Sequence, residues 1–208
     1  AMVRHGDTDF ALAWADISTG ETFVADLTAE ALADEMARIA PAELILTDAT
    51  RQALGERHLF APAWAGIASI IGAELADSEV ALPLLRRSFP SERFDPTILS
   101  RAARAALGAL VGYVGESQKG RHAPLRPPVL DASDKVMAID AATRQSLEIL
   151  QTQRGQAKGS LRQSIDLTVT APGARLLATR LAAPLRDADA INNRLDAVSR
   201  LVEDTLLR

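Results

Sequence analysis

Residues 10–25 read FALAWADISTGETFVA, and this segment determines how the first part of the chain folds. Phe10, Leu12 and Trp14 alternate with smaller residues, which places them on one face of an extended strand. The turn-forming triplet STG at positions 18–20 interrupts the apolar run, and a second short run follows it. Two short apolar runs separated by turn residues predict a β-hairpin.

The segments that follow this hairpin alternate between helix and strand patterns. Thr28 is a suitable N-cap and Pro41 ends the apolar periodicity behind it, so the sequence predicts a helix over residues 29–40. Residues 44–46 (LIL) form a short apolar run that is typical of a buried strand. Two strands, a helix and a further strand at these spacings indicate an α/β sheet covered by helices.

The pattern weakens between residues 48 and 94, where prolines, Pro83 among them, break the apolar spacing and leave the elements unassigned. Asp95 and Pro96 then form an N-cap and first turn, which predicts a helix over residues 98–114. This helix is rich in Ala and Gly, and such small residues permit close packing against a sheet.

The composition is that of a globular protein, with 48% hydrophobic and 24% charged residues. The chain has no cysteine, which excludes a disulfide framework and thiolate chemistry. Its net charge of −4 excludes a strongly basic nucleic-acid binder. Acidic residues are in excess up to residue 120 and basic residues beyond it, so the sequence predicts two units with different surfaces.

A junction between these units is predicted at residues 120–128 (GRHAPLRPP), which combine Gly, three prolines and basic residues. Beyond it the sequence predicts a short strand at 136–139 and helices over 141–154, 171–183 and from Ile191 to the last residue. Three short helices are few for an independent bundle, so we expect this half to be a piece of a larger helical domain.

Three acidic residues raise the possibility of a divalent-metal site: Asp16 after the first predicted strand, Glu21 on the hairpin and Asp48 after a later strand. Carboxylates at strand ends can hold two metal ions that activate water for phosphodiester cleavage. The alternative, which we favour, is a simple turn in which Asp16 bonds nearby backbone groups and Gly20 supplies a positive φ.

Other motifs for chemistry are missing from the sequence. The three histidines, His5, His58 and His122, have no metal-ligand spacing, and no phosphate-binding glycine loop or nucleophile elbow occurs. We therefore assign no catalytic, cofactor-binding or metal-binding residue.

Several longer strings follow one another in a characteristic order. Along the chain they are FALAWADISTGETFV (10–24), ALADEMARIAPAELILTD (31–48), ALGALVGYVGESQKG (106–120), VMAIDAATRQSLEIL (136–150) and SLRQSIDLTVTAPGARLLATRLAAPLRDADAINNRLDAV (160–198). Together they resemble the MutS family of bacterial DNA mismatch-repair proteins over nearly the entire chain. The most specific parts are DAATR (140–144) and PLRD (184–187).

The resemblance implies a particular part of that family. Residues 3–120 would be the connector domain with a ribonuclease H-like α/β fold, 121–135 a proline-rich junction, and 136–208 the truncated start of the helical core, or lever, domain. The overall class is then α+β. The family's mismatch-reading domain would precede these residues and its ATPase would follow them, so ATP and Mg²⁺ would bind outside this chain.

The resemblance also implies a role and partners. The fragment would be a non-catalytic relay between mismatch-bound DNA and the ATPase, and it would help to dock MutL. Mismatched double-stranded DNA and a second parent copy would be partners of the full-length protein. No membrane span or export segment is found in the sequence, so the expected location is the cytoplasm.

Two other functions remain open on the residues alone. The first is a ribonuclease H-like metal nuclease that uses Asp16 and Asp48, since enzymes of that fold carry acids on the first strand and on a neighbouring one. The second is binding of duplex DNA by the basic half. Fold alone does not decide among them.

Overall fold

The computed structural model describes residues 2–5, 9–89, 92, 94–117, 125–130 and 136–204. The chain divides into two units, residues 1–131 and 132–208. The strands are β1 (Met2–His5), β2 (Asp9–Ala15), β3 (Thr22–Thr28), β4 (Leu44–Thr47), β5 (Ala68–Ile71) and β6 (Val129–Leu130). The α-helices are α1 (Ala31–Ile39), α2 (Asp48–Glu56), α3 (Ser78–Ser88) and α4 (Arg101–Ser117) in the first unit, and α5 (Ala141–Ser146), α6 (Leu161–Ile165), α7 (Ala171–Ala182) and α8 (Ala188–Glu203) in the second.

The strands of the first unit form two hydrogen-bonded sheets. One has the order β1-β2-β3-β6, antiparallel except for the parallel pair β3-β6, and the other is the parallel pair β4-β5. Strand β1 lies beside β4, so the two sheets are neighbours. The predicted hairpin is confirmed as β2 and β3. The strand β1 that precedes it was not predicted, which makes the hairpin's first strand the second of the fold.

Alternation along β2 supplies apolar residues to two separate cores. Phe10 and Leu12 face the core that contains Leu32, Leu44 and other residues of α1, β4 and α2. Ala11 and Ala13 face the opposite core, which is built mainly on α4. Because successive strand residues point to opposite faces, one short segment anchors helices on both sides of the sheet.

Helix α4 fills the second core with small residues. Ala102, Ala103, Ala106 and Leu107 are all buried, and α4 packs on both α3 and β2. The predicted helix over 98–114 is therefore confirmed but begins and ends about three residues later. The cause of the late start is a short 3₁₀ turn, Pro96–Ile98, which Asp95 caps by accepting a hydrogen bond from the Thr97 N–H at 3.0 Å.

Residues 48–94 hold more regular structure than the sequence pattern indicates. They form α2, β5 and α3, with short 3₁₀ turns at Pro62–Trp64 and Ala73–Ala76. The prediction that Pro83 breaks the chain is wrong, since it lies inside α3. Its ring is on the exposed side of the helix, where water can solvate the carbonyl that loses its N–H partner.

The second unit contains one clear error of prediction. The helix expected over 141–154 ends at Ser146, because Glu148 adopts a positive φ of 48° and buried Ile149 turns the chain inward. The chain then returns, and the Leu161 N–H donates to the Glu148 carbonyl at 2.9 Å. A short helix, α6, follows that was not predicted.

The remaining elements of the second unit differ less from expectation. Helix α7 is confirmed, and Thr170 caps it by accepting from the Gly173 N–H at 3.2 Å. The strand expected at 136–139 is reduced to one bridge between Val136 and Leu185. Helix α8 ends at Glu203, short of the last residue.

The cap of α5 makes the stability of the second unit depend on pH. The hydroxyl and backbone N–H of Thr143 donate to the Asp140 carboxylate and hold the pKa of Asp140 below its usual range. A lowered pKa in the folded state stabilises above the pKa of the unfolded chain, and this contribution disappears as pH falls through the folded value. We expect the stability of the Asp140→Asn variant to fall less than that of the unsubstituted chain between neutral pH and about pH 3. Thermal unfolding across this range measures it, with Asp196→Asn on the exposed surface of α8 as the control.

Candidate functional site

Asp16 forms a self-contained turn at the end of β2. Its Oδ1 accepts a hydrogen bond from the Ser18 N–H at 2.8 Å and another from the Ser18 hydroxyl. Its carbonyl accepts from the Gly20 N–H at 2.8 Å, and Gly20 has a φ of 77°. These contacts are those of the turn interpretation, and Asp16 lies after the second strand instead of the first.

Asp48 occupies a different environment, in the first turn of α2. Thr47 caps this helix by accepting from the Thr50 N–H at 3.1 Å, which leaves Asp48 pointing to solvent with 75% of its side chain exposed. Its carboxylate pairs with Arg51 at 3.2 Å. An exposed acid in the first turn stabilises a helix by its favourable interaction with the helix dipole, which gives Asp48 a structural role.

Three contacts locate Asp16 and Asp48 relative to each other. The Arg38 guanidinium, near the end of α1, lies 5.1 Å from the centre of the Trp14 ring. Tyr113, near the end of α4, donates to Glu43 just before β4, and Ser100, just before α4, donates to Asp26 on β3.

Asp26 is near the end of β3, so α4 begins at that end of the sheet and ends at the opposite end, where Trp14 lies. Tyr113 at the end of α4 contacts Glu43, and therefore the start of β4 is also at the Trp14 end, close to Asp16. Strand β4 runs away from that end for about 13 Å before it reaches Asp48. A two-metal site needs its ions roughly 4 Å apart. The structure thus does not bring Asp16 and Asp48 together. Within the described ranges no group of three or more His, Asp or Glu side chains is placed to hold a metal ion.

An aromatic and cationic cluster at the turn end of the hairpin was missed by sequence reasoning. The rings of Trp14 and Phe23 stack with centroids 5.3 Å apart. Arg38 covers Trp14 and is itself held by Glu35, with an N–O distance of 2.6 Å. The i, i+3 spacing of Glu35 and Arg38 was visible in the sequence, whereas the cross-strand pair required the register of the hairpin.

A second polar cluster joins three elements on the other face of the sheet. The Glu43 carboxylate accepts from the Ser69 hydroxyl at 2.6 Å and from the Tyr113 hydroxyl at 2.5 Å. These two donors lower the pKa of Glu43, and the same contact with Glu43 raises the pKa of Tyr113. The cluster ties the start of β4 and strand β5 to α4.

A close helix contact in the first unit lies between α3 and α4. A Cβ atom added at Gly108 would stand 2.3 Å from the Ala81 Cβ, which is far inside van der Waals contact. A glycine is required at position 108 for the two helices to approach this closely.

The second unit is organised around a buried arginine. Arg144 on α5 donates to the carbonyl of Ala182, the last residue of α7, at 2.6 Å and to the Ile139 carbonyl at 3.4 Å. Helix α8, by contrast, exposes an apolar stripe. Its members, each at least 38% exposed, are Ile191, Leu195, Val198, Leu201 and Val202.

None of the helices in the described part of the chain is both long and apolar enough to cross a bilayer. No enzymatic centre is assembled from the sequence-predicted residues in those ranges either. What the geometry offers is a first unit with a close contact between α3 and α4 and a second unit with an exposed apolar stripe on α8.

Comparison with known families identifies both units. Residues 1–126 match the family model for MutS domain II, and residues 142–208 match that for MutS domain III. The chain therefore belongs to the MutS family of DNA mismatch-repair proteins.

Several curated relatives are similar over the whole chain. The DNA mismatch repair protein MutS of Rhodopseudomonas palustris (strain BisB5) is 44% identical over 200 residues, which is 95% of this chain and 21% of that protein. The protein of the same name from Nitrobacter winogradskyi is 39% identical over 222 residues, covering 100% of this chain and 23% of the relative. That from Roseobacter denitrificans is 42% identical over 191 residues, 91% of this chain and 21% of the relative. The chain thus spans between a fifth and a quarter of the length of these relatives.

Proposed function

We propose that this chain is the connector and the beginning of the core of a MutS mismatch-repair protein. In that protein it relays between mismatch-bound DNA and the ATPase and contributes to docking of MutL. Residues 3–120 are assigned to the connector, 121–135 to the junction and 136–208 to the core. ATP and Mg²⁺ bind in the parent outside these residues, and mismatched DNA and a second parent copy are partners of the full-length protein.

The observation that carries this proposal is the agreement of two independent boundaries. The family matches change from domain II to domain III between residues 126 and 142, and the structure divides between residues 131 and 132. The excess of charge changes from acidic to basic at the same place in the sequence, and the proline-rich segment lies there too. A joint between two units is what a relay requires.

The strand arrangement supports a ribonuclease H-like connector. That fold continues an antiparallel β1-β2-β3 meander, by way of β1, into parallel strands β4 and β5. The strand order β3-β2-β1, the position of β1 beside β4, and the parallel pair β4-β5 agree with this topology. Fold does not bring nuclease activity with it, and the separation of Asp16 from Asp48 gives the nuclease alternative no support.

A relay function is supported by how the first unit is packed. Helix α4 is buried along most of its length, and many of its buried residues are Ala or Gly. It contacts α3, β1, β2 and β3. A helix held this closely on several elements moves as a body with them, so a displacement at one end reaches the other. The exposed acidic surface of this unit is available for a protein partner.

The test is a titration of the 208-residue chain against the ATPase half of MutL, with and without mismatched duplex and Mg²⁺. Binding and the integrity of the DNA are followed in the same samples. We expect the chain to bind MutL and the DNA to remain intact. A control with Asp16→Asn and Asp48→Asn together is expected to behave as the unsubstituted chain does in both measurements.

Each contrary result has a defined meaning. Metal-dependent cutting that disappears in the double variant would overturn the proposal in favour of the nuclease. Absence of MutL binding under all conditions would remove docking from these residues. Salt-sensitive binding of duplex DNA by the chain alone would instead support the basic second unit as a DNA contact, since phosphate contacts weaken as salt rises.

A further inference from the structure

Strand β5 forms an open edge of the first unit. It pairs with β4 on one side, and β1 lies on the far side of β4. No strand in the described residues pairs with the outer side of β5. Edge strands in proteins are usually protected by Pro, Lys or a bulge, and residues 68–71 (ASII) contain neither Pro nor Lys.

The register decides which backbone groups of β5 face outward. The Leu44 N–H donates to the Ile67 carbonyl at 2.7 Å, and Leu44 is paired with Ala68. In a parallel ladder, alternate residues bond to the same neighbour. The N–H and C=O of Ala68 and Ile70 therefore point away from β4, and among the described residues no turn or loop group bonds to them.

The two faces of this edge differ in chemistry. Ala68 packs towards the α1 and α2 core, and Ile70 on the same face is 46% exposed. On the opposite face the Glu43 carboxylate bonds to the Ser69 hydroxyl. A second carboxylate follows the strand, since a Cβ placed on Gly72 would meet the Glu74 Oε1 at 2.0 Å. Gly72 is extended and continues the alternation of Ala68 and Ile70, so this carboxylate lies at the end of the Ile70 face.

Both carboxylates belong to exposed residues. A strand added beside β5 would thus meet Ile70 on one face, with the Glu74 carboxylate at the end of that face, and the Glu43 carboxylate on the opposite face. Main-chain hydrogen bonds give such additions their affinity, and alternate side chains give them specificity.

We infer that the outer edge of β5 binds an extended segment of a protein partner in which apolar and basic residues alternate. Backbone groups of Ala68 and Ile70 bond to the added strand, and Ile70 packs on its apolar residues. The Glu43 carboxylate meets its basic residues on the opposite face, and the Glu74 carboxylate meets a basic residue at the end of the strand. This inference is independent of the proposed mismatch-repair role, because it depends only on the edge and its charges.

The test measures binding of a fluorescein-labelled KVKVKVK peptide to the 208-residue chain by fluorescence anisotropy. Ile70→Pro removes the outward N–H at position 70 and leaves the ladder to β4 intact, because that N–H does not bond to β4. We expect Ile70→Pro to weaken binding about tenfold or more, whereas Ile70→Ala, which keeps the N–H, loses less. Glu74→Gln should weaken binding at low salt, and it should do so more than Glu21→Gln in the hairpin turn does.

Peptide variants keep the inference testable if Ile70→Pro does not fold. In an extended KVKVKVK peptide the valine N–H groups lie along one edge and the lysine N–H groups along the other. One version is N-methylated on all valines and a second on all lysines, so only one of them blocks the edge that faces β5. We expect one version to lose binding and the other to retain it. Equal binding of both, or equal binding of an EVEVEVE peptide, would overturn the inference. Dimerisation of the chain that Ile70→Pro abolishes and the peptide does not affect would assign the edge to a second copy instead.

Discussion

Gly108→Leu is expected to destabilise the first unit by about 3 kcal/mol, because the new side chain must occupy space that Ala81 already fills. The closest approach of an added Cβ is to another Cβ and to the Ala81 Cα at 3.0 Å, so no flexible side chain can move aside. Helices α3 and α4 must separate instead, which opens the core along α4. The gain of up to about 1 kcal/mol in helix propensity from removing a glycine only partly offsets this cost.

Two other glycines of α4 provide matched controls. An added Cβ at Gly112 makes ordinary contacts of 3.6 and 3.7 Å with Leu75 and Leu84, and at Gly115 it meets nothing within 4 Å. Gly115→Ala should therefore stabilise by about 0.5–1 kcal/mol, through helix propensity alone. Both tryptophans, Trp14 and Trp64, lie in the first unit, so urea unfolding followed by tryptophan fluorescence measures these changes. Equal stability of Gly108→Leu and Gly115→Leu would contradict the close contact.

Alanine at each of the same two positions separates rigidity from stability in a full-length parent. If the relay depends on the α3–α4 contact, Gly108→Ala should impair release of mismatched DNA by ATP more than Gly115→Ala at a temperature where both are folded. Unchanged release in Gly108→Ala would remove the support for transmission through this helix.

How far the sequence predicts the structure depends on whether the signal is local. The hairpin at β2 and β3, helix α1 and the Thr170 cap follow from residues within a few positions of each other, and they were predicted within about three residues. Strand β1 pairs with the adjacent β2, but its four residues (MVRH) are too few to show an apolar alternation. The end of α5 depends on a distant partner. Nothing near Ser146 indicates that Ile149 is buried or that Leu161 returns to bond Glu148.

The candidate site shows the same division. The turn interpretation of Asp16 came from its own neighbours and agrees with the structure. The nuclease alternative paired Asp16 with Asp48 because both follow strands, but strand direction was unknown without the register. The Glu43 cluster joins residues 70 positions apart, so no local pattern could have revealed it.

Arg144→Leu is expected to destabilise the second unit by about 3 kcal/mol, the cost of leaving the buried Ala182 carbonyl and the partly buried Ile139 carbonyl without a charged donor. The side chain is 8% exposed, so water cannot simply replace the guanidinium. Its bond to Ala182 caps the end of α7, whose last carbonyls have no partner within the helix. Loss of the bond should therefore release α7 as well as α5.

Arg144→Lys distinguishes charge from geometry. A lysine keeps the positive charge but offers one compact group, which cannot bond to the Ala182 and Ile139 carbonyls in the way that a planar guanidinium does. We expect Arg144→Lys to lose stability, but less than Arg144→Leu does. Arg154→Leu at an exposed position should change stability by less than about 0.5 kcal/mol. Because the second unit contains no tryptophan, amide hydrogen exchange in α5 and α7 is the measurement. Faster exchange confined to α5 would show that Arg144 stabilises its own helix alone, and faster exchange in both helices would establish it as the link that holds α7 to α5.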